Sequence, residues 1–569
     1  MINHDDYIDK IISLIPIVLI ALAFYIVVHC TGLLFESYEI TETLLWLIPL
    51  FFAIIFFIMT FSFVLCFKDI KKLFKKIDRK TWIILLVIFI FGLSLRTFVA
   101  PHTHRIYYDE DLYLNISQNI ARDGRMYVCN YGTQEECFSH DYNKQPNGYA
   151  FLISIPFFLF GPSEIAAHYI TAVVSSFTTI IVFLITYLMF ENKKVAFFSS
   201  LIFIFIPIAI IWAPTTSQGT IFMFFSALTI FGFLSYFKNS SNKILLFSFA
   251  CLAYTIQIRT EGILLIALIA LLFIIMDKDL FKKISKANFL IIIVVFSLLI
   301  TPHLIHTNAI KDSWWGEQED EEKLGLEHVD NNLHDNVLFF LENTRYPVVF
   351  TALSLIGIAF RKYNREKIFL IFWFLAFFGL YLLFYGGSVN FGVDVRFSLS
   401  YYVPLAILGG CGSYFIANLI NKIIKKQLIS VSCISILIIF SFLPFYGFVN
   451  SVGIESWSAR IPHDFIVENI DDLEEDSMVF TYVPSIVLIN GGNAVYSGYI
   501  TNDEIVKEIF DERENVYYYE EYWTTAPIEP YISVKNYFHD NFILKPINSI
   551  NESNRGMTRN FTIYSMEMK

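Results

Sequence analysis

The chain has 569 residues, 56% of them hydrophobic and only 16% charged, with a formal net charge of -11 and a mean hydropathy of +0.56. Those values exclude an ordinary soluble globular protein and match a polytopic membrane protein. Acidic residues crowd into particular loops and the C-terminal 120 or so residues, so charge is read loop by loop, and no nucleic-acid partner is expected.

Taken in chain order, the first apolar stretch runs from about Ile11 to His29. It follows MINHDDYIDK, which lacks a basic leader, and no small-residue cleavage site comes after it, so it reads as a retained helix. Similar stretches recur as far as residue 449, each long enough to cross a hydrocarbon core about 30 Å thick. Lys and Arg concentrate in the loops 68–80, 191–194, 238–243, 277–286, 361–367 and 421–426, which places those loops in the cytoplasm. The loops 30–43, 101–147, 307–345 and 386–400 then lie outside. YAFLISIPFFLFG (149–161) is apolar but too short to span, and reads as an interfacial segment.

The pattern predicts about 13 transmembrane helices, near 11–29, 44–67, 82–100, 165–190, 195–213, 220–237, 244–258, 262–276, 288–306, 346–360, 368–385, 401–420 and 428–449. The N-terminus is expected inside and the C-terminus outside. After Val449 the composition becomes mixed, acidic and Tyr-rich. DSMVFTYVPSIVLI (476–489) and ENVYYYEEYW (514–523) read as strands, and NDEIVKEIFDE (502–512) as an amphipathic helix. The expected organisation is an additional N-terminal module over 1–81, a helical catalytic domain over 82–449 with a large first external loop at 101–164, and a small external α/β domain over 450–569.

Five cysteines, Cys30, Cys66, Cys251, Cys411 and Cys433, fall in or beside apolar runs and read as inert buried thiols. Cys129 and Cys137 instead flank the short polar loop CNYGTQEEC, and a disulfide between them is expected in an oxidising compartment.

Chemistry concentrates in the loop after the third predicted span, PHTHRIYYDEDLYLNISQNIARDG. Asp109, Glu110 and Asp111 open a helical pattern in which Leu112, Ile116 and Ile120 recur every four residues. Three carboxylates at the mouth of an apolar bundle are costly to desolvate and need a cation, a metal or a catalytic purpose. The alternative is a solvated loop edge. Further on, Lys144 and Pro146 introduce the interfacial segment. A lysine at headgroup depth either snorkels or holds a lipid phosphate.

These residues, in this order, resemble the GT-C superfamily of polyprenyl-phosphate-sugar glycosyltransferases, above all the protein O-mannosyltransferases and the lipid A aminoarabinose transferases. In that family an Asp-Glu pair opens the loop helix, and a Lys-Pro-Pro or His-Pro-Pro element precedes an interfacial helix ending in Leu-Phe-Gly. Asp109 and Glu110 match the pair, Lys144 and Pro146 the second element, and Leu159, Phe160 and Gly161 its end. VDVRFSLSYYVPLAIL, from Val393, resembles the family's Arg-Tyr-x-Leu-Pro segment, with Arg396 in the Arg position and Pro404 displaced downstream. The resemblance covers roughly residues 82–449. Gln145 stands in place of the first proline and Asn143 in place of an acidic residue, and two spans precede the usual start.

The resemblance implies transfer of a hexose, with mannose the candidate, from a polyprenyl-phosphate donor to an acceptor hydroxyl, with inversion, on the non-cytoplasmic face of the cell membrane. Such a transfer needs a base for the acceptor and positive charge for the departing phosphate. Asp109, with Glu110 beside it, is the expected base. Lys144, Arg259 and Arg396 are the expected phosphate ligands, against plain ion pairs of Arg259 with Glu261 and of Arg396 with Asp394. The acceptor is a protein, a glycolipid or a surface glycan. No cofactor is required, although Asp111, His303 and His306 are candidates for a divalent metal, and His102 and His104 precede the acidic triplet. Trp314 and Trp315 stack on a sugar or anchor at the interface, and Asn551 and Asn560 lie in N-x-[ST] sequons. No phosphate-binding glycine loop for a nucleotide-sugar is present. A flippase of lipid-linked saccharides is the competing class, weakened by the long external loops and the lack of inverted repeats. An oligosaccharyltransferase is a third, without an evident acceptor motif.

Overall fold

The computed structural model describes residues 38–143, 146–276, 286–310, 323–360, 362, 364–390, 392–451, 454–474, 476–521, 529, 531–554 and 557–569. The first predicted span, Lys144 and the Trp314–Trp315 pair lie outside the described residues. The chain forms two compact units. A helical unit comprises Met1–His102, Lys144–Tyr149 and His168–Ser451, and a sheet unit comprises Thr103–Asn143, Ala150–Ala167 and Val452–Lys569.

Among the described residues, seven helices are long and apolar enough to span a bilayer. They fall at Leu45–Leu73, Arg79–Val99, Glu164–Phe190, Gln218–Asn239, Asn364–Leu383, Gly392–Ile424 and Gln427–Val449. Shorter apolar helices, including Asn242–Ile258 and Val348–Ala359, accompany them. Large apolar side chains face outward on the first two, among them Leu50, Phe57, Val64, Ile83, Leu86 and Val87, as lipid-facing helices require. The chain is a multi-pass membrane protein. The span predicted at 195–213 is divided, with helices Lys193–Ile204 and Pro207–Ile211, because Pro207 has no N–H to continue the helix it follows. Helices Val348–Ala359 and Tyr402–Ile424 come so close that a Cβ on Gly357 or Gly412 would run into the facing backbone. Small residues at such crossings let membrane helices pack by direct contact.

The sheet unit contains helices α1 (Tyr107–Asp123), α2 (Ile454–Ile470), α3 (Pro484–Ile489), α4 (Asp503–Glu512) and α5 (Tyr531–Asn541). Its strands are β1 (Val128–Gly132), β2 (Cys137–Asp141), β3 (Ser477–Thr481), β4 (Ala494–Tyr496), β5 (Asn515–Glu520), β6 (Phe542–Asn554) and β7 (Met557–Met568). They make one mixed sheet in the order β2-β1-β4-β3-β5-β7-β6. β3 pairs in parallel with β4 and β5, and the other neighbours are antiparallel. Parallel strands need helical crossovers, and α3 and α4 provide them. The predicted strand 476–489 is therefore half strand and half helix: β3 stops at Thr481, and Pro484 occupies the first turn of α3, the position proline favours.

The largest difference from the sequence reading lies in the grouping of residues. Loop residues 103–143 fold with 452–569 in one unit, because β1 pairs with β4, matching Tyr131 to Val495 and Gly132 to Ala494. α1 is fastened to this sheet by its polar side chains. Asn115 Oδ1 accepts the Cys129 N–H at 2.8 Å, Asn119 Nδ2 donates to the Tyr127 carbonyl at 2.9 Å, and Gln118 donates to the Leu488 carbonyl. Gly124, with φ of +69°, ends the helix in the left-handed conformation.

The expected Cys129–Cys137 disulfide is present and closes the β1–β2 hairpin. Cys66, Cys251 and Cys411 are buried as expected, whereas Cys433 is exposed. Replacing both Cys129 and Cys137 by serine is expected to cost about 2 to 3 kcal/mol, the chain-entropy value for so short a loop. A lowered denaturant midpoint of the detergent-solubilised protein would report it, and an unchanged midpoint would contradict it.

Candidate active site

The first turn of α1 holds Asp109 and Glu110, where carboxylates suit the positive end of the helix dipole. Glu110 is fully buried, and its Oε2 accepts the backbone N–H groups of Arg105 at 2.5 Å and Ile106 at 2.9 Å. This side chain folds the preceding loop onto the helix start. Asp109 beside it is half-buried. Asp111 is 1% exposed, and neither of its oxygens accepts a hydrogen bond among the described residues.

His104 and His463, both buried, face these acids. His104 Nδ1 lies 3.6 Å from Asp111 Oδ1 and 3.7 Å from Glu110 Oε2, and its Nε2 lies 2.6 Å from Glu164 Oε1. His463, on α2, places Nε2 3.5 Å from Glu164 Oε2 and 3.9 Å from Asp111 Oδ1. The two imidazole rings are 4.3 Å apart at 33°. Burial raises the Asp111 carboxyl well above its usual range, and the charges of Glu164, Glu110 and Glu521 add to the effect. Burial opposes charge on His104, but Glu164, Asp111 and Glu110 together carry it well above the usual imidazole value. Glu521, immediately after β5 and fully buried, accepts from Thr481 Oγ1 and the Tyr482 N–H, each at 2.6 Å. It thereby ties β5 to the carboxyl end of β3.

The helical unit carries a separate cationic centre. Arg259, between helices Asn242–Ile258 and Leu264–Met276, pairs with Glu261 at 2.5 Å. Its guanidinium carbon stands 5.2 Å from the centre of the Phe397 ring, and that of Arg396 also stands 5.2 Å from the same ring. This is cation–π range. A Cβ on Gly219 would lie 3.7 Å from Arg259 Nη1 and 3.6 Å from the Arg396 carbonyl. The Arg259 guanidinium therefore stands at the first turn of helix Gln218–Asn239, beside the Arg396 backbone carbonyl. Gln218 in that turn donates to the Pro146 carbonyl at 2.8 Å, and Tyr381 stacks on Phe397 at 5.0 Å.

A family model described as dolichyl-phosphate-mannose-protein mannosyltransferase matches residues 144–306. The structure of ArnT from Cupriavidus metallidurans in the apo state is similar with a TM-score of 0.54 at 12% identity, over 85% of this chain and 97% of that one. ArnT bound to undecaprenyl phosphate gives 0.52 at 12% identity, over the same shares. The Archaeoglobus fulgidus oligosaccharyltransferase AglB, in complex with an inhibitory peptide and a dolichol-phosphate, gives 0.47 at 12% identity, over 86% and 74%. The chain shares the fold of the ArnT structures. No curated protein sequence matches it.

Of the expected phosphate ligands, the structure brings Arg259 and Arg396 to one aromatic ring, although 137 positions separate them in sequence. Arg259 also makes the ion pair with Glu261 that was the simpler expectation. Asp109 and Glu110 begin α1 as expected, with Glu110 engaged by its own loop. The three metal candidates separate. Among the described residues, Asp111 forms a group of possible ligands with His104 and His463, and His303 and His306 join no such group. His303 and His306 instead line a small pocket with Asn147 and Gln257. The sequence reading missed His463, Glu164, Glu521 and Phe397. The only available signal was their chemistry, since each is far in sequence from the residue it meets or sits in an ordinary helical or aromatic context.

Glu110→Ala would leave two backbone N–H groups buried and unpaired, at about 1 to 3 kcal/mol each. Glu110→Gln keeps an acceptor oxygen and is expected to lose less than half as much. Denaturant melts of the purified variants check the order, and equal losses would show that the carboxylate does not organise the loop.

Proposed function

We propose that the protein is an inverting glycosyltransferase that takes a hexose, with mannose the candidate, from a polyprenyl-phosphate donor and delivers it to an acceptor hydroxyl. The observation that carries this reading is the meeting of Arg259 and Arg396 at the Phe397 ring, with the Arg259 guanidinium also at the first turn of helix Gln218–Asn239. Two guanidiniums, one of them beside a helix N-terminus, offer a site for a phosphate group. One of the two arginines is already paired with Glu261, so the cluster holds an anion without carrying a large unbalanced charge when empty. The GT-C fold, and the undecaprenyl phosphate bound by the ArnT relative, support a lipid phosphate as that anion.

The sugar-phosphate bond already contains its leaving group. The remaining requirement is a base, and Asp109 is assigned that role. Its half-buried carboxylate at the start of α1 takes the acceptor proton as the hydroxyl oxygen attacks the anomeric carbon. The carbon–phosphate-oxygen bond breaks on the opposite side and the configuration inverts. Glu110 fixes the loop from which Asp109 projects, and Lys144 is a further phosphate ligand in this reading. The acceptor is a protein, a glycolipid or a surface glycan on the non-cytoplasmic face.

Membranes containing the protein, incubated with radiolabelled polyprenyl-phosphate mannose or glucose, are expected to transfer label to an acid-stable product. Asp109→Asn should lower the rate by about 10²- to 10⁴-fold, the usual contribution of a general base. Arg396→Ala should lower kcat/KM by about 10- to 100-fold, the weight of one charge-assisted hydrogen bond. Undiminished transfer by Asp109→Asn removes the base assignment. Movement of the lipid-linked sugar across the membrane without any transfer would favour the flippase reading instead.

A further inference from the structure

We propose that His104, Asp111 and His463 form a binding site for one divalent metal ion, zinc by its donor set, with Glu164 as the outer partner that orients His104. All four residues belong to the sheet unit, and none is the Asp109 assigned to catalysis.

The distances distinguish this from a proton-mediated ion network. An imidazolium donating to a carboxylate sits about 2.7 to 2.9 Å from the oxygen. His104 Nε2 and Glu164 Oε1 show such a contact, at 2.6 Å. Asp111 does not: its Oδ1 lies 3.6 Å from His104 Nδ1 and 3.9 Å from His463 Nε2. Those separations are too long for hydrogen bonds. Two donor atoms sharing a tetrahedral zinc ion at about 2.0 to 2.1 Å stand about 3.3 Å apart. The two Asp111 separations, 3.6 and 3.9 Å, reach that value with shifts of roughly half an ångström. All three ligand atoms lie within 4.8 Å of one another.

A second, independent observation is the state of Asp111. It is 1% exposed, and among the described residues neither of its oxygens accepts a hydrogen bond. A buried carboxylate whose oxygens accept no hydrogen bond is costly to leave bare, and a cation coordinated by it would remove that cost. Two imidazoles and one carboxylate are a donor set that suits zinc better than magnesium or calcium, which favour all-oxygen sites. The contact from His104 Nε2 to Glu164 supplies the carboxylate–histidine–metal arrangement that fixes ring and tautomer at such sites. The ligands come from the loop before α1, from α1 itself and from α2. A bound ion would pin the start of α1, and with it Asp109, to α2.

The test uses the full-length protein purified in detergent with a tag that contains no histidine and without chelator. Elemental analysis of the wild type is expected to find about one zinc per chain. After stripping with a chelator and removal of the chelator, titration with zinc chloride should show one saturable site. His463→Ala and Asp111→Asn should each lose the zinc, whereas His463→Cys, which restores a zinc ligand, should retain it. Glu164→Gln should keep the stoichiometry with affinity weakened about 10- to 100-fold, the usual effect of removing an outer partner. Retention by the cysteine variant separates loss of a ligand from loss of the fold. The proposal is overturned if the wild type carries no metal and shows no saturable binding of zinc, manganese or cobalt. It is equally overturned if His463→Ala holds as much zinc as the wild type.

Discussion

The sheet unit depends on a two-residue strand pairing. β1, from the first long loop, meets β4, from the last fifth of the chain, through Tyr131 with Val495 and Gly132 with Ala494. Gly132 admits no side chain there. A Cβ would lie 2.6 Å from the Glu136 carbonyl oxygen and 2.7 Å from Cys129 Sγ, inside the hairpin that the disulfide closes. The same pairing draws α1 against the sheet. Together with the Gln118 hydrogen bond to the Leu488 carbonyl, it holds α1 where His104 faces His463.

The two units divide the chemistry by charge. The sheet unit gathers the buried carboxylates Glu110 and Asp111 and the partly exposed Glu164 around two imidazoles. The helical unit gathers guanidiniums around an aromatic ring. Glycosyl transfer from a phosphate creates negative charge on the leaving group and needs negative charge on the base.

Much of the architecture was legible in the sequence because lipid imposes a simple rule. An apolar run of sufficient length becomes a helix, and the helices found at 45–73, 164–190, 218–239 and 427–449 follow that rule closely. The disulfide was legible because two cysteines stand eight positions apart in a polar loop. The union of 103–143 with 452–569 was not, because strand pairing across more than three hundred residues leaves no local pattern. α3 was hidden by a related ambiguity: PSIVLI is as apolar as a buried strand, and only its proline marks a helix start. At the site, resemblance singled out Asp109 and Arg396, and the place of Arg259 at the end of an apolar segment singled it out. His463 and Glu521 could not be found that way, since each lies in a segment beyond the region that the resemblance covers.

The shared sheet also sets an order of events during synthesis. About 360 residues separate Gly132 from its partner Ala494, and the ribosome needs roughly 20 to 70 seconds to make them at usual elongation rates. For that interval the disulfide-closed hairpin presents β1 as an open edge while the membrane helices are inserted behind it. Open edges invite wrong partners. The short length of β1 and the acids beside it, Glu135, Glu136 and Asp141, are the features that would keep the edge soluble until the end of the chain arrives to cover it.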